Sequence, residues 1–381
     1  MEINKKPSLP TWKLALIGAG TSIGIAVVGL GGWYLSAKVL PEVSNSSGGN
    51  KPNDGLFKIS EGFGKDTKYG FIDKSGKVVI NPQFESVNQF HSGLAQITLN
   101  RNAGYINKEG KVIINPQFSD GSTDFYEGVA FVKIGSKWGV IDREGKIVIN
   151  PQFDHGILFN EGLAPIKVGE KWGFIDKKGQ IIISPNFNSL AIFEDGLTSA
   201  RNKEDGKFGY IDKTGKFIIK PTFDRAANFS EGLAMVKIGE KWGFIDKKGQ
   251  VVIQPRFSNN ETYIEMTLPE LIQGGSGAFS DGLAAVVENG KKFYIDKTGK
   301  TVIGFQIDEH GKFSEDLAYV KIGDKCGYID KAGKIVINPQ FKVCSNFSQG
   351  LAEVLTDDLK GYIDKSGKYV WQRNIKNSSG E

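Results

Sequence analysis

The strongest constraint on the fold of this chain is a ten-residue pattern that recurs nine times after residue 53. Its clearest copy is residues 241–250, with the sequence KWGFIDKKGQ. The aspartate of the pattern, once replaced by asparagine, falls at positions 73, 107, 142, 176, 212, 246, 296, 330 and 364. The spacing is 34 to 36 residues, apart from one step of 50. Such a period indicates a repeat protein, in which each unit buries its apolar face by stacking on its neighbours.

One unit, residues 231–257, indicates the local structure of all the units. Two apolar segments, 233–238 and 242–246, are separated by a short turn, and a third, 251–253, ends before Pro255. Glycine three residues after the aspartate predicts a hairpin with a left-handed position, which a residue without a Cβ adopts at low cost. Each unit is therefore predicted to be a three-stranded antiparallel meander.

The fold class predicted from these units is all-β, a tandem array of nine units of about 34 residues. We expect an elongated or superhelical, solenoid-like array, with a closed β-propeller as the alternative. Three strands per unit are fewer than the four of a usual propeller blade, and the longer step also disfavours closure.

Three sets of aromatic residues are predicted to fill the core between units. The first is the aromatic that opens the second strand: Tyr69, Trp138, Trp172, Phe208 and Trp242. The second is the phenylalanine that follows the proline: Phe84, Phe118, Phe153, Phe187, Phe223, Phe257 and Phe341. The third lies in the connector between units: Phe90, Phe159, Phe193, Phe229 and Phe347.

The N-terminal part of the chain predicts a membrane anchor. Residues 14–35 carry no charge and would span about 33 Å as a helix, enough to cross a bilayer. Lys5 and Lys6 precede this segment and place residues 1–13 in the cytoplasm. We expect a signal-anchor helix at 14–35, a flexible linker at 36–53, the repeat array at 54–376 and a disordered tail at 377–381. A cleaved signal peptide is the alternative.

The charge of the chain argues against a nucleic-acid partner. The formal net charge is +5, and residues 1–40 contribute +3 of it. A nucleic-acid-binding domain is usually strongly basic on one face. A basic residue follows every aspartate position, and these residues form either a positive stripe or a row of solubilising lysines offset by Glu127, Glu161 and Glu231.

The longest irregularity is an insertion at 258–280, which accounts for the step of 50 residues. Insertions in repeat arrays form loops on one face, often the binding face. The candidate binding residues in this loop are Tyr263, Met266, Leu268 and Ile272. A drifted loop without a role is the alternative.

The recurring motifs resemble those of the WG repeat family of bacterial proteins, also called KWG repeats. The resemblance rests on KWGVID at 137–142 and KWGFID at 171–176 and 241–246, with NPQF and EGLA segments downstream. It implies a β-rich interaction module and provides no catalytic residues. The residues that define the repeat are Trp138, Gly139, Asp142, Trp172, Gly173, Asp176, Trp242, Gly243, Asp246 and Gly249.

No catalytic, metal or cofactor site is predicted. The three histidines, His91, His155 and His310, lie far apart and lack metal-ligand spacing. The recurring aspartates are expected to cap hairpins by accepting backbone N–H bonds. The alternative is that these carboxylates hydrolyse wall glycans. Cys326 and Cys344 form a disulfide in an oxidising compartment if the fold brings them close enough.

Together these features predict a non-catalytic scaffold on a bacterial membrane. It would cross the membrane once, through residues 14–35, with the repeats outside the cytoplasm. Its partner would be a protein or an envelope polymer. A structural spacer of a surface assembly is the alternative, ahead of the wall-glycan hydrolase.

Overall fold

The computed structural model describes residues 55–119, 121–203, 206–258, 278–304 and 307–375. These residues form nine antiparallel sheets, one for each repeat, called blades 1 to 9 in chain order. They contain no α-helix, and their one helical turn is the 3-10 segment Gly64–Asp66. None of their helices is long and apolar enough to cross a membrane. The predicted anchor at 14–35, the linker, the tail and the four loop residues from Tyr263 to Ile272 lie outside the described residues.

The strands recur with nearly constant lengths. Blades 1 to 3 contain Leu56–Glu61, Lys68–Asp73 and Val78–Phe84; Ser86–Val87, Leu94–Leu99, Asn102–Asn107 and Val112–Ser119; and Val129–Ile134, Lys137–Asp142 and Ile147–Phe153. Blades 4 to 6 contain His155–Gly156, Leu163–Val168, Lys171–Asp176 and Ile181–Phe187; Ser189–Leu190, Thr198–Arg201, Phe208–Ile211 and Phe217–Phe223; and Arg225–Ser230, Leu233–Ile238, Lys241–Asp246 and Val251–Phe257. Blades 7 to 9 contain Ala284–Glu288, Lys291–Ile295 and Thr301–Ile303; Glu309–His310, Leu317–Ile322, Lys325–Asp330 and Ile335–Phe341; and Val343–Cys344, Leu351–Leu355, Leu359–Asp364 and Tyr369–Asn374.

Most blades have a fourth strand that the sequence did not predict. Within the described residues, blades 1, 3 and 7 have three strands and the other six have four. The extra strand comes from the connector and in most blades pairs through two residues only, as in Ser86↔Thr98 and Val87↔Ile97. So short a pairing leaves no alternating pattern of apolar residues. The prediction of three strands per unit is therefore wrong for these six blades.

The last strand of each blade, here called the outer strand, lies at one edge of its sheet and contains a bulge. In blade 4 it pairs at Trp172↔Phe187 and Phe174↔Ile183, with a register shift between them. It continues through the proline instead of ending before it, because proline is tolerated on an edge strand. The bulge leaves two consecutive residues in solvent, with Ile181 55% exposed. Proline and bulge together hinder pairing with another chain.

The core is a set of apolar clusters between successive blades. Between blades 2 and 3, Tyr105, Ile114 and Phe118 pack against Phe125 and Val132 of the next blade. The phenylalanine after the proline and the connector phenylalanine are buried, which confirms those predictions. The aromatic that opens the second predicted strand is buried at Trp138, Phe208 and Trp242 but only half-buried at Tyr69 and Trp172. The sequence prediction missed a further set of buried rings, which lies two residues later: Phe71, Tyr105, Phe174, Tyr210, Phe244, Tyr294, Tyr328 and Tyr362.

Blade 9 packs directly against blade 1. The rings of Tyr362 and Phe57 lie 5.4 Å apart, and the Tyr362 hydroxyl donates to the Lys58 carbonyl at 2.8 Å. The Arg373 guanidinium donates to the Gly62 carbonyl at 3.0 Å. These contacts repeat those between successive blades, so the blades close into a ring, a β-propeller. The elongated solenoid is wrong, and the closed alternative is correct.

Candidate binding surfaces

The recurring aspartates cap the hairpins between the two last strands of each blade. The amides of Lys248 and Gln250 donate to Asp246 Oδ1 at 2.9 and 2.8 Å. Asp142 and Asp176 accept the same pair of bonds in their own hairpins. Gly249 has φ +80°, and a Cβ there would lie 2.9 Å from Ile219 of the preceding blade. The motif thus shapes a turn and permits close packing between blades.

In blades 4, 5, 6, 7 and 9 the lysine after the aspartate pairs with a carboxylate of the preceding blade. Lys177 lies 3.1 Å from Glu127, and Lys213 lies 3.1 Å from Glu161. The same carboxylates also accept the backbone N–H of Gly162 and Gly196. These lysines are therefore offset by the glutamates that the sequence indicated, and they link blades instead of forming a free positive stripe.

The glycine of the Trp-Gly pair is required by the outer strand that crosses it. A Cβ on Gly139, Gly173 or Gly243 would lie 2.7, 2.4 or 2.6 Å from a carbonyl oxygen of that strand. Trp138 and Trp242 are buried in clusters between blades, whereas half-buried Trp172 packs at the edge of another cluster. The Trp-Gly signature is thus mainly structural, with Trp172 as the exception that reaches the surface.

The connectors between blades form the inner wall of the ring. Successive connectors touch, because in blades 4, 6, 7 and 8 the side chain after the connector phenylalanine donates a hydrogen bond to the phenylalanine carbonyl of the next connector. Ser280 Oγ, for example, donates to the Phe313 carbonyl at 2.6 Å. Burial lowers the pKa of Lys312 in blade 8 to about 8, while Glu194 of blade 5 raises it. This wall therefore brings together charged groups of blades that are not neighbours.

One stretch of the inner wall is apolar. Ile157 and Leu158 of blade 4 and Ile192 of blade 5 form a small cluster of their own. Two aromatic side chains, Tyr126 and Trp172, pack against it and are only half-buried. This cluster, called the apolar floor, is separate from the repeated clusters between blades.

A polar group adjoins the apolar floor on blades 2 and 3. The Asn88 side chain donates to Gln96 Oε1 at 2.9 Å and to Asp124 Oδ1 at 3.0 Å. His91 Nε2 lies 3.8 Å from Asp124 Oδ2, and the His91 ring lies 4.8 Å from that of Tyr126. Burial and the Asp124 carboxylate raise the pKa of the Tyr126 hydroxyl. The sequence prediction missed this group because its members are separated by one repeat.

His155, in contrast, belongs to an aromatic stack. Its ring lies 5.0 Å from that of Trp138 and 5.7 Å from that of Trp172. Burial lowers its pKa, so the neutral ring is favoured. The three histidines thus lie on different blades. In the described part of the chain, no group of three or more His, Cys, Asp or Glu side chains could hold a metal ion.

Cys326 and Cys344 form a disulfide, as the sequence allowed. Cys326 lies in the third strand of blade 8, at the position where most blades have the aromatic residue that precedes the repeat glycine. Cys344 lies in the short first strand of blade 9, here called its inner strand. Their Cα atoms are 6.2 Å apart. The bond therefore joins two successive blades next to the closure with blade 1.

Comparison with known proteins agrees with this repeat structure. The model of the WG containing repeat matches residues 69–102, 104–138, 138–172, 172–208, 208–242, 242–259, 293–326 and 327–359. The chain belongs to the WG repeat family. The matches leave out residues 260–292, which include most of the insertion. Apart from the end at residue 259, the boundaries of the matches fall at or next to the Trp-Gly position of a repeat. No curated protein matches this WG repeat protein.

Solved structures resemble the WG repeat protein in fold alone. The structure described as a eukaryotic initiation factor has a TM-score of 0.57 at 10% identity, over 84% of this chain and 96% of that one. Hsv2 of Kluyveromyces lactis gives a TM-score of 0.37 at 11% identity, over 74% of this chain and 94% of that one. A streptogramin B lyase gives 0.36 at 15% identity, over 72% and 97%.

Proposed function

We propose that this WG repeat protein is a non-catalytic binding platform that recognises a protein or an envelope polymer outside the cytoplasm. One observation carries the proposal: the repeated charged residues are used within the ring. The aspartates cap hairpins, and in five blades the lysine that follows pairs with the preceding blade, as Lys177 does with Glu127. Recognition then falls to positions that differ from blade to blade. The inner wall and the insertion are the main sites of such differences.

The proposed location rests on two independent features. The uncharged segment at 14–35 is long enough to cross a bilayer once. The Cys326–Cys344 disulfide suits an oxidising compartment and would be unusual in a reducing cytoplasm. We therefore propose an anchored protein with its blades on the outer side of a bacterial membrane. Protease added to intact spheroplasts should digest the blades. Protection from the protease until lysis would contradict this location.

The binding role is tested by capture from an envelope extract on the immobilised full chain. The first variant lacks residues 259–275 of the insertion, and the matched control is Lys177→Ala at a repeated position. We expect the captured partner to survive Lys177→Ala and to be lost or weakened in the deletion variant or in inner-wall variants. Cooperative melting of each variant checks that the ring remains folded.

Two results would count against this proposal. Loss of the partner on Lys177→Ala and Lys213→Ala alone would place recognition on the repeated charges. Absence of any partner from both the protein and the polymer fractions would favour the spacer function instead.

A further inference from the structure

The inner wall differs from blade to blade at the position just before the connector phenylalanine. This position is polar or charged in blades 2, 3, 6, 8 and 9: Gln89, Asp124, Asn228, Lys312 and Asn346. In blade 7 it is the small residue Ala278, and in blades 4 and 5 it is a large aliphatic residue, Leu158 and Ile192, both of which are 4% exposed. The connector phenylalanines that follow are buried in the repeated clusters in every case. Packing between blades therefore does not explain why Leu158 and Ile192 are large aliphatic residues.

Two aromatic side chains border the apolar floor. Tyr126 comes from blade 3 and Trp172 from blade 4, and both are half-buried against the floor. At the equivalent position in blade 6, Trp242 is 3% exposed and belongs to a core cluster. Two partly exposed aromatic rings beside aliphatic side chains can pack against the apolar face of a sugar ring.

The polar group beside the floor still has unused hydrogen-bonding atoms. His91 is 8% exposed, and its Nδ1 atom is buried without a hydrogen-bond partner among the described residues. The same is true of Gln89 Oε1 on the same connector. Buried polar atoms of this kind are usually satisfied, so such atoms call for a specific explanation. Hydroxyl or amide groups of a ligand could donate to both.

The charges nearby favour a neutral ligand. Asp124 lies in the polar group, and Glu194, which follows the floor residue Ile192 by two positions, is 8% exposed. Lys312 of blade 8 offsets the charge of Glu194, so Asp124 is the carboxylate that an anionic polymer would meet beside the floor. Like charges at close range repel strongly where water is limited. A neutral sugar avoids that repulsion and can use both the aromatic rings and the polar atoms.

We propose that the inner wall of blades 2 to 5 is a carbohydrate-binding site for a neutral glycan, such as one built from N-acetylhexosamine. Trp172 and Tyr126 stack against sugar rings, and Leu158 and Ile192 form the floor between them. Gln89 and His91 accept hydrogen bonds from the sugar. This inference rests on the proposed binding function and names the ligand class.

The test titrates the full chain, purified in mild detergent, with a tetrasaccharide of N-acetylglucosamine and follows binding by calorimetry. We expect saturable binding that Trp172→Ala weakens at least about tenfold, which corresponds to loss of roughly 1.4 kcal/mol of binding free energy. Trp172→Phe should retain most of the affinity, because it keeps an aromatic face. The matched control is Tyr69→Ala, since Tyr69 occupies the same repeat position in blade 1 and is also half-buried.

Each outcome decides between the site and its alternatives. Weakening by Trp172→Ala and Tyr126→Ala, with Tyr69→Ala unchanged and all melting temperatures similar, supports the site. Equal weakening by Tyr69→Ala places the sugar elsewhere and overturns it. Absence of tetrasaccharide binding at millimolar concentration also overturns it. In that case capture of an envelope partner by the full chain would still support the broader binding function.

Discussion

Blades 6 and 7 are neighbours built from the same repeat, yet only blade 6 has the glycine of the Trp-Gly pair. In blade 6 the outer strand Val251–Phe257 pairs from Val251 to Phe257, and Gly243 lies under it. In blade 7 the described part of the outer strand is Thr301–Ile303, and Phe293 occupies the glycine position. A Cβ on Gly243 would lie 2.6 Å from the Ile253 carbonyl oxygen. The comparison teaches that the Trp-Gly glycine makes room for the outer strand at the point where this strand crosses it, and that blade 7 lacks this glycine.

The hairpin that precedes the outer strand is the same in blades 6 and 7. Gly249 and Gly299 both have positive φ, at +80° and +85°, and a Cβ on either would lie 2.9 Å from an isoleucine of the preceding blade. Lys247 and Lys297 both donate to a backbone carbonyl of the preceding blade, at 2.8 and 2.9 Å. Blade 7 has therefore lost one feature of the repeat while its hairpin and its contacts with blade 6 remain.

Among the changes that test this comparison, the largest expected effect comes from giving blade 6 the residue of blade 7. Gly243→Phe should displace the outer strand near Pro255 and lower the free energy of unfolding by about 3 kcal/mol, because overpacking a close contact forces the backbone to move. Denaturant unfolding measures the loss, and faster amide exchange at 254–257 locates it. The exposed Lys241→Ala on the same strand should change stability by less than about 0.5 kcal/mol. Native stability in Gly243→Phe would contradict the role assigned to this glycine.

The next effect tests the end that the two blades share. Gly249→Val and Gly299→Val should each destabilise the ring by about 2 kcal/mol, since a β-branched residue is strained at positive φ. The two losses should agree within about 0.5 kcal/mol because the hairpins and their isoleucine contacts match. A much smaller loss in blade 7 would mean that its hairpin is not equivalent to that of blade 6.

Smaller effects are expected from the ion pairs between blades. Lys297 lies 3.2 Å from Glu231, and Lys247 lies 3.6 Å from Asp195. Lys297→Ala and Lys247→Ala should each cost about 0.2–1 kcal/mol, because exposed ion pairs are weak in water. Repeating the unfolding in high salt should reduce both losses. Losses that are insensitive to salt would point to the backbone hydrogen bonds instead.

The smallest effect concerns acid. A hydrogen bond from the Thr298 hydroxyl lowers the pKa of Asp296 below 3.8 in blade 7. A depressed pKa stabilises the fold above the unfolded value, and this stabilisation disappears as pH falls through the folded value. Stability should therefore decline below about pH 4, and Thr298→Ala should make that decline slightly shallower. A stability that rises on acidification in this range would have the wrong sign.

The sequence predicted those features that depend on a single local position. The aspartate and glycine of each hairpin required the left-handed turn that Gly249 adopts, and the spacing of Cys326 and Cys344 allowed their bond. Features that depend on pairing between repeats were missed. The inner strand is mostly two residues long, and the polar group of Asn88, His91 and Asp124 forms only when adjacent connectors touch.

Closure of the ring was the largest feature that the sequence left open. It depends on the contact of Tyr362 with blade 1, 304 residues away from Lys58. Tyr362 looks the same in the sequence as Tyr328, whose hydroxyl donates to the Ser345 carbonyl of the next blade at 2.8 Å. In an open array the Tyr362 side chain would face solvent. In a closed ring the side chains of Tyr362 and Tyr328 are both buried between blades.

The most direct measurement of closure compares Tyr362→Ala with Tyr328→Ala by denaturant unfolding of the full chain. A closed ring predicts similar losses for both variants, about 3–5 kcal/mol each, because each removes a large buried ring. A loss for Tyr362→Ala within about 0.5 kcal/mol of zero, beside a full loss for Tyr328→Ala, would show that blade 9 ends in solvent. That result would contradict the propeller.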